Sequence, residues 1–321
     1  MDGDVRRILI TGGAGFVGAY AVREFLKDPG VEVVSMDSLT YAGNLERIAH
    51  LRRVSNVCHD IGDPITDDVL RRIGEVNVIV HLAAESHVPR SIVNPRLFVR
   101  SNVIGTMNVL EAARAMKPER FIYVSTDEVF GPAPVAGKEK HSHGGLLRPS
   151  NPYSASKASG EFLVRSYFRS FDVPAIVTRC VNMFGKMQNP EKFVPIAVAK
   201  MLRKESVPVH TINEKVCSRC WAYAGEHARA LAWLSVNGIP GEFYHVSSGK
   251  ELTSLEMVER IASVLGVPVN VSPIPVDRPG HDLDYAIEES SLAGNWKCTE
   301  SFEELLERTV LWMRDHREWL K

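Results

Sequence analysis

Short apolar runs punctuate residues 1–180, and each stops at a glycine, a small residue or a cluster of hydroxyls and carboxylates. Arg7–Thr11, Val31–Met36, Asn56–Val57, Val76–His81, Phe121–Val124 and Pro174–Thr178 have the length and apolar content of buried strands. The segments between them repeat apolar residues at helical spacing, which predicts helices over Tyr20–Lys27, Thr66–Ile73, Pro95–Met116 and Pro152–Phe171. Strand and helix alternate throughout. The pattern therefore predicts an α/β fold, a doubly wound parallel sheet with helices on both faces.

Beyond Thr178 the rhythm changes. Strands Val207–His210 and Glu242–Val246 mix with helices Phe193–Lys204, Gly225–Val236, Ser254–Leu265 and Ser301–Arg314 and with proline turns. This predicts residues 1–180 as a nucleotide-binding domain carrying the chemistry. Residues 181–321 form mainly a smaller mixed α/β substrate lobe, with crossovers back to the main sheet. Pro132–Pro149, rich in Pro, Gly, Lys and His without periodicity, reads as a surface loop.

Composition narrows the function classes. With 321 residues, 45% hydrophobic and 24% charged, the chain is long enough for a large core or for one domain with a smaller lobe. A formal net charge of −1 gives no basic footprint for nucleic acid or an anionic membrane. No run approaches the roughly 20 apolar residues that span a bilayer. Met1–Asp4 is an acidic start unlike a secretory signal. Cys58, Cys180, Cys217, Cys220 and Cys298 are odd in number and scattered, which points away from a disulfide framework and toward a reducing cytosol. Cys217 and Cys220 have CxxC spacing without a second ligand pair nearby, and His141 and His143 lack partners at ligand spacing, so no metal is expected.

The first stretch with chemistry in it is Thr11–Gly18. Gly12, Gly15 and Gly18 allow positive φ and let a pyrophosphate approach a helix N-terminus, where free amides and the dipole favour anions. A tight structural turn would use the same glycines. Asp37, ending the next strand about 20 residues on, sits where a carboxylate accepts ribose hydroxyls and repels a 2′-phosphate, which favours NAD over NADP.

The second stretch is Ser125–Gly131, three polar side chains at the end of a parallel strand, where ligands bind in open α/β sheets. The third is Tyr153–Lys157, a phenol and an ammonium four residues apart on one helix face. A phenol titrates near ~10 and is a poor base at neutral pH. Lys157 and a cationic nicotinamide are expected to lower it, so that Tyr153 takes a proton from a secondary alcohol while Lys157 also holds the nicotinamide ribose.

Together these motifs resemble the extended short-chain dehydrogenase/reductases, and within them the nucleotide-sugar 4,6-dehydratases of the dTDP-glucose type. The resemblance runs over nearly the whole chain, on Thr11–Gly18, Leu39–Glu46, Ala83–Val88, Ser125–Gly131, Tyr153–Lys157, Pro190–Lys192 and Arg278–Asp282. It implies a Rossmann sheet with NAD held by Phe16, Val17, Asp37, Ser38, Leu39, Thr40, Asp60, Ile61, Leu82, Ala83, Ala84 and Ser101. Ser86, Asn182, Lys192, His210, Arg219, Arg278 and His281 would face a nucleotide-diphosphate sugar. It also implies catalysis by Thr126, Asp127, Glu128, Tyr153 and Lys157: oxidation at C4, loss of water across C5 and C6, and hydride return to C6. Glu128 would remove the C5 proton, Asp127 would protonate the departing hydroxyl, and Thr126 would bond the C4 oxygen. A homodimer through the helices near Pro95–Met116 and Pro152–Phe171 is implied too.

Departures from the family pattern fall on the substrate side. Pro89 and Met183 replace an expected Asp and Asn, Ser254 stands for an Asn, and Ser247–Ser248 replace a glycine pair. A glycine-rich turn before the diphosphate arginine is replaced by the longer His210–Lys215 run. A different base, a different sugar or a substrate that is not a diphosphate sugar would each account for that. A 4-epimerase, a simple dehydrogenase and a non-catalytic NAD-binding protein remain open as alternatives.

Overall fold

The computed structural model describes residues 5–132, 141–142, 144–276, 280, 282–285, 287–288, 292, 296 and 298–321. Its strands in chain order are β1 (Arg6–Thr11), β2 (Val31–Asp37), β3 (Val54–Cys58), β4 (Val78–His81), β5 (Arg120–Thr126), β6 (Ala175–Cys180), β7 (Asn182–Phe184), β8 (Val207–Ile212), β9 (Lys215–Val216), β10 (Ser218–Tyr223), β11 (Phe243–Val246), β12 (Lys250–Thr253), β13 (Val271–Pro275) and β14 (Asp284–Tyr285). The helices are α1 (Phe16–Phe25), α2 (Asp67–Ile73), α3 (Val88–Val93), α4 (Pro95–Phe98), α5 (Gly105–Met116), α6 (Pro152–Phe171), α7 (Phe193–Leu202), α8 (Ala224–Asn237), α9 (Ser254–Leu265) and α10 (Phe302–Asp315).

A parallel sheet runs in the order β11-β6-β5-β4-β1-β2-β3, the doubly wound arrangement expected from the alternating pattern. Its inner strands are largely apolar because both faces are covered, whereas the edge strand β3 exposes Ser55, Asn56 and Cys58. In β1, Ile8 and Ile10 pack on one side with Ala19 and Val22 of α1 and Leu231 and Leu234 of α8. Leu9 points the other way, into a core shared with Val109 and Leu110 of α5 and Val164 of α6. The last strand, β11, comes from the C-terminal half of the chain, so residues beyond 181 contribute to this sheet as well as to the lobe. The lobe is built on β10, flanked by β12, β14 and β7, with a separate β13-β8-β9 sheet. Its core joins Val194 and Val198 of α7, Met257 and Ile261 of α9, and Leu306 and Val310 of α10.

Local chemistry sets the helix ends. Asn151 caps α6 through the Ser154 amide, with Pro152 in the first turn, where its missing N–H costs nothing. Thr253 with Glu256 and Ser301 with Glu304 form capping boxes for α9 and α10.

The expected helix over Pro95–Met116 runs without a break, starting after Asn94, which the following proline pushes out of helical geometry. Its winding is not uniform. Val99–Ile104 then form a π-wound turn between α4 and α5. The short strands β7, β9, β12, β13 and β14 carry too few residues for periodicity to reveal. No described helix is long and apolar enough to cross a membrane.

Candidate active site

Strand order reverses between β1 and β4, and a cavity of ≈ 530 Å³ opens beyond their C-terminal ends. The glycine loop forms its floor. Gly12 has φ +73, and a Cβ there would lie 2.9 Å from the Ala83 backbone; one on Gly18 would lie 2.0 Å from the Gly12 carbonyl oxygen. Only glycine lets the loop descend this closely onto α1, whose first turn carries no acidic side chain to repel an anion.

Asp37 lines the same cavity. Its oxygens accept the Leu39 and Ala14 amides at 2.8 and 3.0 Å, so it braces its own turn while each oxygen keeps a lone pair for a ligand. Asp60 lines it too, bonded to Arg100 at 2.6 Å and to the Gly62 amide at 2.8 Å. Partial burial would raise its pKa, but these bonds outweigh it and leave it lowered. Amides at a helix start, a carboxylate where ribose hydroxyls would fall, and small backbone at Ala83–Ala84 fit a dinucleotide.

The end of β5 meets the start of α6 at the other side of the cavity. Thr126 accepts the Glu128 amide at 3.3 Å, capping the short helical turn Asp127–Phe130, and donates to Asp127 Oδ1 at 3.2 Å. Glu128, Tyr153 and Lys157 line the cavity, whereas Asp127 is 5% exposed and lies outside the lining shell. Burial and the neighbouring Glu128 carboxylate push Asp127 up to about 7, while Arg219 draws it down. Burial raises Glu128 too, opposed by Arg219 and by the Asn151 amide at 3.5 Å.

Tyr153 departs from expectation. Its pKa is raised well above the usual phenol value, by burial first and by Glu128 next. Sharing a helix face does not make Lys157 its partner: the ammonium donates to the Val124 carbonyl at 2.5 Å and sits 4.2 Å from the centre of the Tyr123 ring. Burial lowers Lys157 to about 8. The protein's own groups therefore hold the phenol neutral, and positive charge must come from a ligand.

Residues 8–247 match the model of the NAD dependent epimerase/dehydratase family. The chain belongs to that family. Its relatives include a dTDP-glucose 4,6-dehydratase of Streptomyces niveus, 38% identical over 98% of this chain and 94% of that protein. Another, from Neisseria meningitidis serogroup B, is 37% identical over 98% and 95%. Among solved structures, DesIV of Streptomyces venezuelae, a dTDP-glucose 4,6-dehydratase with NAD and dTDP bound, superposes with TM-score 0.89 at 36% identity, covering 98% of this chain and 99% of that one. UDP-glucose 4-epimerase of Thermus thermophilus, with NAD, superposes with TM-score 0.88 at 28% identity, over 96% and 99%.

The positions expected to hold the cofactor fall into one shell: Gly12, Gly15, Phe16, Val17, Gly18, Asp37, Ser38, Thr40, Asp60, Ile61, Leu82, Ala83, Ala84 and Ser101 all line the cavity. Leu39 does not. It takes φ 51 to close the turn, and its side chain is exposed. On the sugar side Ser86, Asn182, Lys192, His210 and Arg219 line the cavity. Lys192 reaches the Ser86 carbonyl at 3.4 Å, and burial lowers its pKa. Arg219 is fixed by the carbonyls of Leu283 and Asp282 at 2.8 and 3.1 Å, and stacks 4.5 Å from the Tyr285 ring centre. Arg278, His281 and His143 lie outside the described residues. Among the described residues no group of His, Cys, Asp and Glu is placed to hold a metal.

The departures from the family pattern also find places. The His210–Lys215 run is the end of β8 and a two-residue hairpin turn, with Asn213 and Glu214 both at positive φ. Pro89 sits in the first turn of α3. The Ser247 and Ser248 hydroxyls accept the amides of Gly249 and Lys250 at 3.1 and 3.2 Å, bracing the turn into β12.

Several site residues escaped sequence reasoning. Asn151 caps α6, reaches Glu128, and donates to Gly280 O at 3.3 Å. The Asn-Pro pair opening a helix pattern is the signal that marks it. Asn102, in the π turn, exchanges bonds with the Glu85 backbone at 2.8 and 2.9 Å and donates to Ser156 at 2.8 Å. His81 bridges Thr11 and Thr106 at 2.7 and 3.1 Å, and burial lowers it to about 3. Nothing local in the sequence announces either.

Proposed function

We propose that the protein is an NAD-dependent nucleotide-sugar 4,6-dehydratase that converts dTDP-glucose to its 4-keto-6-deoxy product. The observation that carries this reading is the carboxyl pair Asp127 and Glu128 directly after Thr126, with Thr126, Glu128, Tyr153 and Lys157 lining one cavity and Asp127 buried just behind its wall. A 4-epimerase returns hydride to the carbon it came from and has no use for a second acid and base.

NAD, when bound, supplies reversible hydride acceptance between C4 and C6. The remaining work falls to side chains. Tyr153 takes the C4 hydroxyl proton while Thr126 holds that oxygen. The C4 ketone acidifies C5, and Glu128 removes its proton. Burial and Glu128 push Asp127 up to about 7, so near neutral pH a sizeable fraction carries a proton, and Asp127 is the acid for the departing C6 oxygen. Arg219 and Lys192 bind the diphosphate, where a guanidinium fork and an ammonium suit paired oxygens.

The reading extends to assembly and location. Exposed Val99 and Ile104 between α4 and α5, Met107 on α5 and Phe162 on α6 support a homodimer through these helices, and the scattered cysteines support a cytoplasmic enzyme. The test is turnover of dTDP-glucose in deuterated water. Deuterium at C5 with loss of the C6 hydroxyl is expected; C4 inversion with the C6 hydroxyl intact would establish the epimerase instead. A panel of other nucleotide sugars run alongside fixes the base and the hexose.

A further inference from the structure

One buried cation has no part in the proposed reaction. Arg47 ends the short helical turn Leu45–Arg47, is 3% exposed, and does not line the cavity. A guanidinium taken out of water is costly unless its donors are satisfied. The donors here go to backbone carbonyls. Nη1 donates to Ala14 at 2.9 Å and to Ala42 at 2.7 Å, and Nε donates to Met187 at 3.1 Å. The guanidinium carbon also lies 5.2 Å from the centre of the Trp319 ring.

The three carbonyls belong to three separate parts of the cavity wall. Ala14 is in the glycine loop, where its amide donates to Asp37 Oδ2 at 3.0 Å. Its carbonyl shares one planar peptide with the Gly15 amide, so anchoring that oxygen fixes the plane from which α1 starts. The amides of Phe16 and Val17, in the first turn and without intrahelical partners, take their direction from it. Ala42 is in the turn after Asp37 and lines the cavity itself. Met187 lies between β7 and α7, in the segment that brings Gln188 and Asn189 to the cavity from the lobe. It takes φ 58, a backbone that non-glycine residues rarely adopt and that needs an external hold. A second tie joins the same two segments, the Tyr41 phenol donating to Glu191 at 3.0 Å.

We propose that Arg47 is a positioning residue for the cofactor. From outside the cavity it draws three carbonyls onto one plane, and so holds the glycine loop, the turn after Asp37 and the lobe segment at the spacing a dinucleotide needs. A guanidinium suits this task because Nε and Nη1 donate in fixed directions. A lysine has a single nitrogen and cannot occupy both positions.

The test is calorimetric titration of the full chain, its cofactor removed, with NAD and with ADP-ribose, which lacks the nicotinamide. The rate at which NAD leaves the loaded protein is followed alongside. Arg47→Met keeps the length of the side chain without its donors, and should weaken NAD and ADP-ribose alike by about 30-fold and speed NAD release to match. Arg47→Lys keeps the charge and should weaken both by about 5-fold. The nucleotide sugar that the unaltered protein binds best is the control, and its affinity should stay within about 3-fold in both variants. The NAD readout stands whichever nucleotide sugar that is. NAD affinity within about 3-fold of the unaltered protein in Arg47→Met would overturn the assignment. Equal losses for NAD and the nucleotide sugar, with a fall in melting temperature, would make Arg47 a brace of the whole fold and overturn it too. A loss for NAD that ADP-ribose does not share would move the effect to the nicotinamide end, with the same consequence. If Arg47→Met does not fold, Arg47→Lys decides: NAD bound at the unaltered strength would show that the three-carbonyl geometry is not needed.

Discussion

The two sides of the cavity are held by different means. On the β5–α6 side, Thr126 to Glu128 follow a buried strand directly, and Tyr153 and Lys157 lie in the first turns of a long capped helix. Adjacent strand register and one helix cap fix all of them. On the β8–β10 side, His210, Arg219 and Tyr285 come from separate strands of two small sheets, with β8 turning through a hairpin into β9. The first arrangement stores its chemistry in contiguous sequence and deep burial. The second stores recognition in tertiary contacts, so it can change base or sugar while the reacting groups stay put.

Substitutions should split kcat from KM along the same line. The largest effect is expected from Glu128→Gln, which removes the C5 base: dehydration should fall by about 10³-fold while C4 oxidation still reduces bound NAD, visible as nicotinamide absorbance. Normal product formation would remove Glu128 from its role. Arg219→Ala should act mainly on the other side, raising KM for the sugar nucleotide by roughly 30-fold, the worth of about 2 kcal/mol of charge-assisted bonding, with a smaller loss of kcat because Arg219 also draws down Asp127 and Glu128. A kcat loss there with KM unmoved would erase the contrast.

Asp37→Ala should weaken NAD by about 10-fold, and NADP less, in a binding titration. An unchanged preference would reduce Asp37 to a turn brace. The smallest effect concerns stability. Asp127 is raised from an unfolded value near 3.9 to about 7 in the native protein, so the native state binds more protons and stability falls as pH rises through that window. Asp127→Asn should therefore gain in melting temperature over the parent between about pH 4 and 7 and hold that gain above it, while losing activity.

Much of this molecule was legible in sequence because its signals are local. Alternating strands and helices fixed the main sheet, glycine spacing marked the loop at Gly12–Gly18, and the hydroxyl and carboxylates after β5 marked one end of the cavity. What stayed hidden depends on partners far along the chain. Lys157 turns to Val124 and Tyr123 rather than to Tyr153, a choice made by burial that helical spacing does not encode. Asn102 and His81 matter through contacts with distant residues. The hairpin at Asn213–Glu214 lacks glycine altogether, so the usual sign of left-handed backbone was absent.

The wide turn at Val99–Ile104 holds one residue more than ordinary winding would. Deleting one residue there would restore that winding and leave α5 close to its present orientation, with Val109 and Leu110 still on the sheet. Asn102, which the wide turn aims at Glu85 and Ser156, would lose that aim. The extra residue therefore serves the wall of the cavity and not the packing of the core.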